Sequence, residues 1–162
     1  MQSVVADRQS ISATTAFVKA WFLGGVVAGV LDAGDGVIFN YIANHLNPIQ
    51  VLQYIASGFF GSRSFDMGLL SAAIGAGAHF FIAFVLAIIY VTATRIAPIM
   101  NRHAALLGPL YGAAVFLTMN FVVLKFTNTV ETPVTTAFLV NGLVGHALLV
   151  GLPIALCARK SI

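Results

Sequence analysis

Between Met67 and Thr94 the chain carries no aspartate, glutamate, lysine or arginine, and three other stretches are nearly as apolar. A helix needs about 20 apolar residues to cross a hydrocarbon core of roughly 30 Å. Charges punctuate the chain between these stretches. Lys19 marks the entry to the first, Asp66 and Arg95 bracket the second, Arg102 and Lys125 the third, and Glu131 and Arg159 the fourth. In lipid every backbone N–H and C=O must be satisfied within the segment, and the helix is the open-ended element that does so. The pattern therefore predicts an all-α fold, an integral membrane four-helix bundle, with spans at about 16–41, 68–95, 104–125 and 134–158.

Composition agrees. Of 162 residues 59% are hydrophobic and only 8% charged, whereas soluble domains carry about a quarter charged residues. The net charge of +3 does not point to nucleic acid, because the basic residues stand singly at the ends of apolar segments. The single cysteine, Cys157, rules out an internal disulfide or a CxxC redox pair. The first apolar segment does not read as a cleaved signal sequence, since it runs long and contains Asp32 and Asp35. Residues 1–15 and 159–162 read as short tails. Arg8, Lys19, Arg95, Arg102, Arg159 and Lys160 fall on one side, with only Arg63 and Lys125 on the other. The positive-inside rule then puts both termini in the cytoplasm.

The first outer loop has a helix signal of its own. Asn47-Pro48 pairs a capping side chain with proline at the first helical position. Ile49, Leu52, Ile55 and Phe59 follow near one face, which predicts a short amphipathic helix over 48–60 lying on the outer membrane surface, ended by Gly58 and Gly61. Trp21, Tyr41 and Tyr111 suit the aromatic belt at the membrane edges, His45 and His103 suit the same interface, and Pro153 is expected to kink the fourth span. Gly25-x-x-x-Gly29 in the first span is echoed by Gly108-x-x-x-Gly112 in the third. Gly75-x-x-x-His79 in the second is echoed by Gly142-x-x-x-His146 in the fourth. Two helix pairs in series would repeat about an axis along the membrane normal, although close packing of small residues explains the same glycines.

Six polar residues lie inside apolar spans: Asp32, Asp35, His79, Asn120, Asn141 and His146. A central Asp costs about 2.5–3.5 kcal/mol on insertion scales, so such residues face the bundle interior. At a helical rise of about 1.5 Å per residue, Asp32, His79 and His146 fall in one layer near the membrane middle. Asp35, Asn120 and Asn141 form a shallower one nearer the outer end. Asp32 and Asp35 share a helix face, whereas Asn141 is rotated well away from His146.

Four chemistries fit that constellation. A carboxylate beside an imidazole can pass a proton. Asp32, His79 and His146 could ligate a transition metal such as zinc. His79 and His146, on separate helices at one depth, could be axial ligands of haem b, with Gly75, Gly77, Gly142 and Gly145 making room for the ring. The fourth is purely structural: buried polar contacts that hold helices together, worth about 0.6–2 kcal/mol each. No nucleophile–base–acid triad, phosphate loop or HExxH helix is present, so nothing in the sequence supports an enzyme.

The segments Gly108-Pro-Leu-Tyr-Gly112, Met119-Asn-Phe-Val-Val123 and Asn141 through Pro153, with Ile49 to Gly61, resemble an uncharacterised family of small bacterial four-helix inner-membrane proteins. The resemblance spans most of the chain after residue 15. It implies a bacterial inner membrane and no particular activity. The expectation is thus an outward-facing polar pocket handling protons, a metal ion or a small polar solute. A structural or assembly subunit and a haem electron carrier are the competing readings. The small-residue faces would permit a homo-oligomer or a place in a larger membrane complex.

Overall fold

The computed structural model describes the backbone of residues 2–159 and the side chains of residues 11–159. The structure is all-helical. Four helical segments are long and apolar enough to cross a membrane: Ile11–Asn44, Leu69–Ile96, Ala104–Phe126 and Thr136–Arg159. The elements in order are α1 (Gln2–Asn44), α2 (Pro48–Phe60), α3 (Leu69–Ile96), α4 (Ile99–Arg102), α5 (Ala104–Phe121), α6 (Thr136–Gly145) and α7 (Leu152–Arg159). A π-helical segment, His146–Gly151, joins α6 to α7. The expected C-terminal tail lies, beyond Arg159, outside the described residues.

α1 runs unbroken for 43 residues and takes in residues 2–15, about 65 Å at 1.5 Å per residue. No glycine or proline interrupts the chain between Gln2 and Leu23, so nothing in the sequence stops the helix there. α3 stops where Pro98 forces Ala97 out of the helical region, at φ −124° and ψ 82°. Pro109 lies inside α5. Pro153 is accommodated without breaking the fourth span. The turn before it widens, and the Leu152 N–H bonds to Ala147 O, five residues back.

α2 starts as its sequence suggests. The Asn47 side chain accepts from Gln50 N and the Gln50 side chain accepts from Asn47 N, at 3.0 and 2.9 Å. Against the bundle it packs a different set of residues from its apolar face. The buried residues are Val51, Gln53, Ala56 and Ser57, while Ile49 and Phe59 are exposed. The reason is a backbone contact: a Cβ on Gly75 would sit 1.9 Å from Leu52 O. α2 therefore presses its main chain into α3 almost two turns in from Leu69. The buried polar groups are satisfied locally, Gln53 donating to Gly68 O and Ser57 to Tyr54 O. Gly61 and Gly68, at the two ends of the link to α3, both have φ near +60°, which glycine adopts without steric cost.

The bundle is solid at one end and hollow at the other. Toward α4, α7 wedges between α1, α3 and α5 with Ile154, Ala155 and Ala158 fully buried against Ala20, Ala87, Tyr90 and Val91. Trp21 and Tyr111 belong to this packing and not to an edge belt. Trp21 Nε1 donates to Phe84 O at 3.0 Å and the Tyr111 hydroxyl to Leu86 O at 2.8 Å, so each clamps a side chain onto α3. The repeated glycine motifs do different work. Gly25 and Gly29 make room for the rings of Phe84 and Phe80, whereas Gly108 and Gly112 let α5 touch the main chain of Gly151 and His146. Apolar side chains such as Leu69, Phe81, Ile96 and Phe126 point outward, as contact with a lipid bilayer requires.

A methyl group at Gly75 or Gly112 would meet a carbonyl oxygen at 1.9 or 2.0 Å, while nothing lies within 4 Å of a Cβ on Gly34 or Gly77. Gly75→Ala and Gly112→Ala are each expected to cost about 1–3 kcal/mol through overpacking. Gly34→Ala and Gly77→Ala are expected to be neutral or stabilising by up to about 1 kcal/mol. Unfolding of the four variants in mild detergent, followed by circular dichroism, checks the ordering.

Candidate functional site

The hollow half encloses a cavity of about 280 Å³, at the small end of the roughly 300–1,000 Å³ typical of ligand pockets. Its walls are mostly apolar: Ala28 from α1, Ile82, Ala83 and Leu86 from α3, Val115 and Met119 from α5, and Val150 from the π segment. Against that lining stand Asp32, His79, Asn120 and His146, one from each spanning segment. Tyr54, Thr127 and Thr129 add hydroxyls on the α2 side.

The six polar residues picked from the sequence divide into three arrangements. Asp32 and His146 face each other across the cavity, Oδ1 to Nδ1 at 3.7 Å, too long for a hydrogen bond. The Asp32 carboxyl accepts no hydrogen bond from any described residue, and His146 Nδ1 is enclosed without a partner. His79 is engaged elsewhere: its Nε2 lies 2.9 Å from Gly29 O, and because a carbonyl only accepts, this nitrogen carries the proton. Asp35 and Asn141 form a pair, Nδ2 to Oδ2 at 2.8 Å, joining α1 to α6 outside the cavity lining. Asn120 turns its amide back to Phe116 O at 3.0 Å while its side chain lines the cavity.

The local sequence explains these placements. Gly145 leaves room for the Asp35 carboxylate, since a Cβ there would sit 2.8 Å from Oδ2. Gly112 admits the backbone of His146, whose ring then rests edge-on against Phe116 at 5.3 Å. His146 is also the first residue of the π turn, a geometry often found at functional positions. Among the described residues no three His, Cys, Asp or Glu side chains gather closely enough to ligate a metal ion. With Nε2 held by Gly29, His79 has only Nδ1 to offer to any metal or haem iron. Arg63 and Asp66 do not pair. Among the described residues Asp32 and His146 make the one carboxyl–basic side-chain contact within 4.0 Å.

Sequence reasoning did not reach the roof. Asn128 N donates to Gly58 O at 3.0 Å, Val130 N to Ser57 Oγ at 3.2 Å, and the Tyr54 and Thr132 hydroxyls meet at 3.3 Å. The threonine-rich link 127–136 is thereby stitched to the end of α2, which is what brings Thr127 and Thr129 to the cavity. Its threonine content was the available signal.

The two carboxyls are expected to behave differently. Asp35→Ala and Asn141→Ala should each destabilise the protein, with a coupling in the double-mutant cycle of about 0.6–1.7 kcal/mol. Asp32→Asn should leave stability unchanged or raise it, because no hydrogen bond is lost. Thermal unfolding of the single and double variants decides between these outcomes.

Comparison with protein-family models, with curated proteins and with solved structures finds no match, so no family is identified and the four long apolar helices remain what places this chain among multi-span membrane proteins.

Proposed function

We propose that this protein binds a small amphiphilic solute inside the bundle, holding its apolar body against the cavity wall and its polar head at Asp32. The observation that carries this reading is the contrast between the two carboxyls. Asp35 is satisfied by Asn141, whereas Asp32 opens onto the cavity with no donor, beside an imidazole nitrogen that also lacks one. An unpartnered carboxyl in an apolar surround is costly, and the missing partner is a hydrogen-bond donor. A ligand amine supplies one with charge complementarity. The mostly apolar lining favours a ligand with a hydrocarbon body over a hydrated ion. His79 and the Asp35–Asn141 pair then act as clamps that hold α1 to α3 and to α6 while the site stays open.

A second use of the same pair is proton exchange. At 3.7 Å, a small movement of the π turn would bring Nδ1 and Oδ1 into hydrogen-bond range, so a proton on Asp32 and an amine beside it are alternative occupants. The basic residues support an orientation of the protein across its membrane. Lys19, Arg95, Arg102 and Arg159 sit at the α4 end, with Arg95 donating to Ala13 O and stacking over Phe17, while Arg63 and Lys125 sit at the α2 end. By the positive-inside rule the α4 end is cytoplasmic and the cavity lies in the outer half of the membrane.

Photolabelling in lipid nanodiscs tests the binding reading. A small diazirine-bearing alkylamine should label cavity residues such as Met119 and Val115 about ten-fold more than the alcohol of the same shape, a difference of about 1.4 kcal/mol. Asp32→Asn should abolish the preference, whereas Asp35→Asn should keep it. Label spread evenly over the outward-facing side chains, with no amine preference, would sink the proposal.

A further inference from the structure

We infer that the cavity is loaded sideways from the bilayer, through a portal framed by Phe59, Val123 and Leu124, so that its ligand is a lipid-soluble amphiphile and not a solute arriving from water. The inference rests on the proposed binding reading and names the class of ligand and its route.

Three observations support it. The first is where the lining reaches the surface. Ala28, Ala83, Val115 and Val150 are buried, but Phe59 is 61% exposed and Val123 37%, with Leu124 half-buried between the latter and Lys125. The cavity therefore opens between the last turn of α2 and the 3₁₀ turn Val123–Phe126 that follows α5. The second is what surrounds that opening. Phe60, Phe121, Val122 and Phe126 are all exposed, Phe126 at 87%. Such a collar of rings and branched side chains suits acyl chains and not water. Lys125 is the charged residue within it, and its long stem lets the ammonium reach the headgroups from there.

The third is that the axial route is closed. The segment 127–132 is bonded across α2 at Gly58, Ser57 and Tyr54, and Asn128 Nδ2 adds a bond to Phe59 O at 3.3 Å. α2 is in turn pressed onto α3 at Gly75, about 9 Å along the helix from Leu69 at 1.5 Å per residue. Leu69 and Leu70, farther toward that end of α3, are themselves exposed and apolar. The roof and its side opening thus lie within the depth range where α3 presents apolar residues outward.

Cysteine accessibility tests the route. Met119→Cys, in a Cys157→Ser background and in lipid nanodiscs, places a thiol inside the cavity; Ser62→Cys provides an exposed reference. With rates normalised to that reference, membrane-permeant N-ethylmaleimide should modify Met119→Cys at least ten-fold faster than a quaternary-ammonium methanethiosulfonate. Filling the mouth with Val123→Trp, or with Phe59→Trp should the first variant fold poorly, should slow the maleimide at least five-fold without touching the reference. Charged reagent reaching Met119→Cys as fast as Ser62→Cys, or an unchanged maleimide rate in both folded mouth variants, overturns the portal. Failure of the portal would leave the amine preference in photolabelling intact. Loss of that preference with portal-controlled thiol access would instead overturn the binding reading alone.

Discussion

Main chain touching main chain at a few glycines is the contact on which the rest of this structure depends. A bilayer offers no hydrophobic drive between helices, so association rests on close approach and on polar contacts. Gly112 and Gly151 let α5 lie directly on the π segment, and Gly75 lets α2 seat its Leu52 carbonyl on α3. The first contact fixes the orientation of His146, because a Cβ at residue 112 would strike its carbonyl oxygen. The second fixes the roof. Without both, the cavity would have neither its polar wall nor its cover.

Given those contacts, the polar residues fall into groups that differ in satisfaction rather than in depth. His79 donates to a backbone carbonyl and Asp35 accepts from Asn141, and each bond ties two helices together. Asp32 ties nothing. The same residue type, three positions away on the same helix, thus serves as a clamp in one case and stands open in the other. The deciding factor is what α6 and the π segment present opposite each carboxyl: an amide for Asp35, an imidazole just out of reach for Asp32.

The number of spans could be read from the sequence because it follows from where charges interrupt apolar runs, and the short helix after Asn47 because its cap is local. Three features could not be read that way. The packing face of α2 against the bundle is set by a distant glycine, Gly75, and its own apolar pattern, which leaves Ile49 and Phe59 pointing outward, does not reveal it. Trp21 and Tyr111 looked like edge aromatics, but their donors find the Phe84 and Leu86 carbonyls deep in the bundle. Helical projection also assumes a constant turn, and the π segment breaks that assumption from His146 onward. The pairing of Asn141 with Asp35 was invisible for a related reason, since depth alone set them in the same shallow layer but no projection tells which helices are neighbours.

The hollow itself calls for a physical account, because nothing in the composition prevents a solid core. At the α4 end the same helices pack without a gap around Tyr90, Val91 and Ile154, using small residues to bring α7 inward. At the α2 end alanines at positions 28 and 83 stand where larger side chains would close the space. Apolar wall against which no side chain packs forgoes dispersion contacts, and an unpaired carboxyl beside it is costly. An amphiphile taken from the membrane would offset both terms at once, its chain filling the apolar space and its donor meeting Asp32. A purely structural bundle would gain more from closing the space.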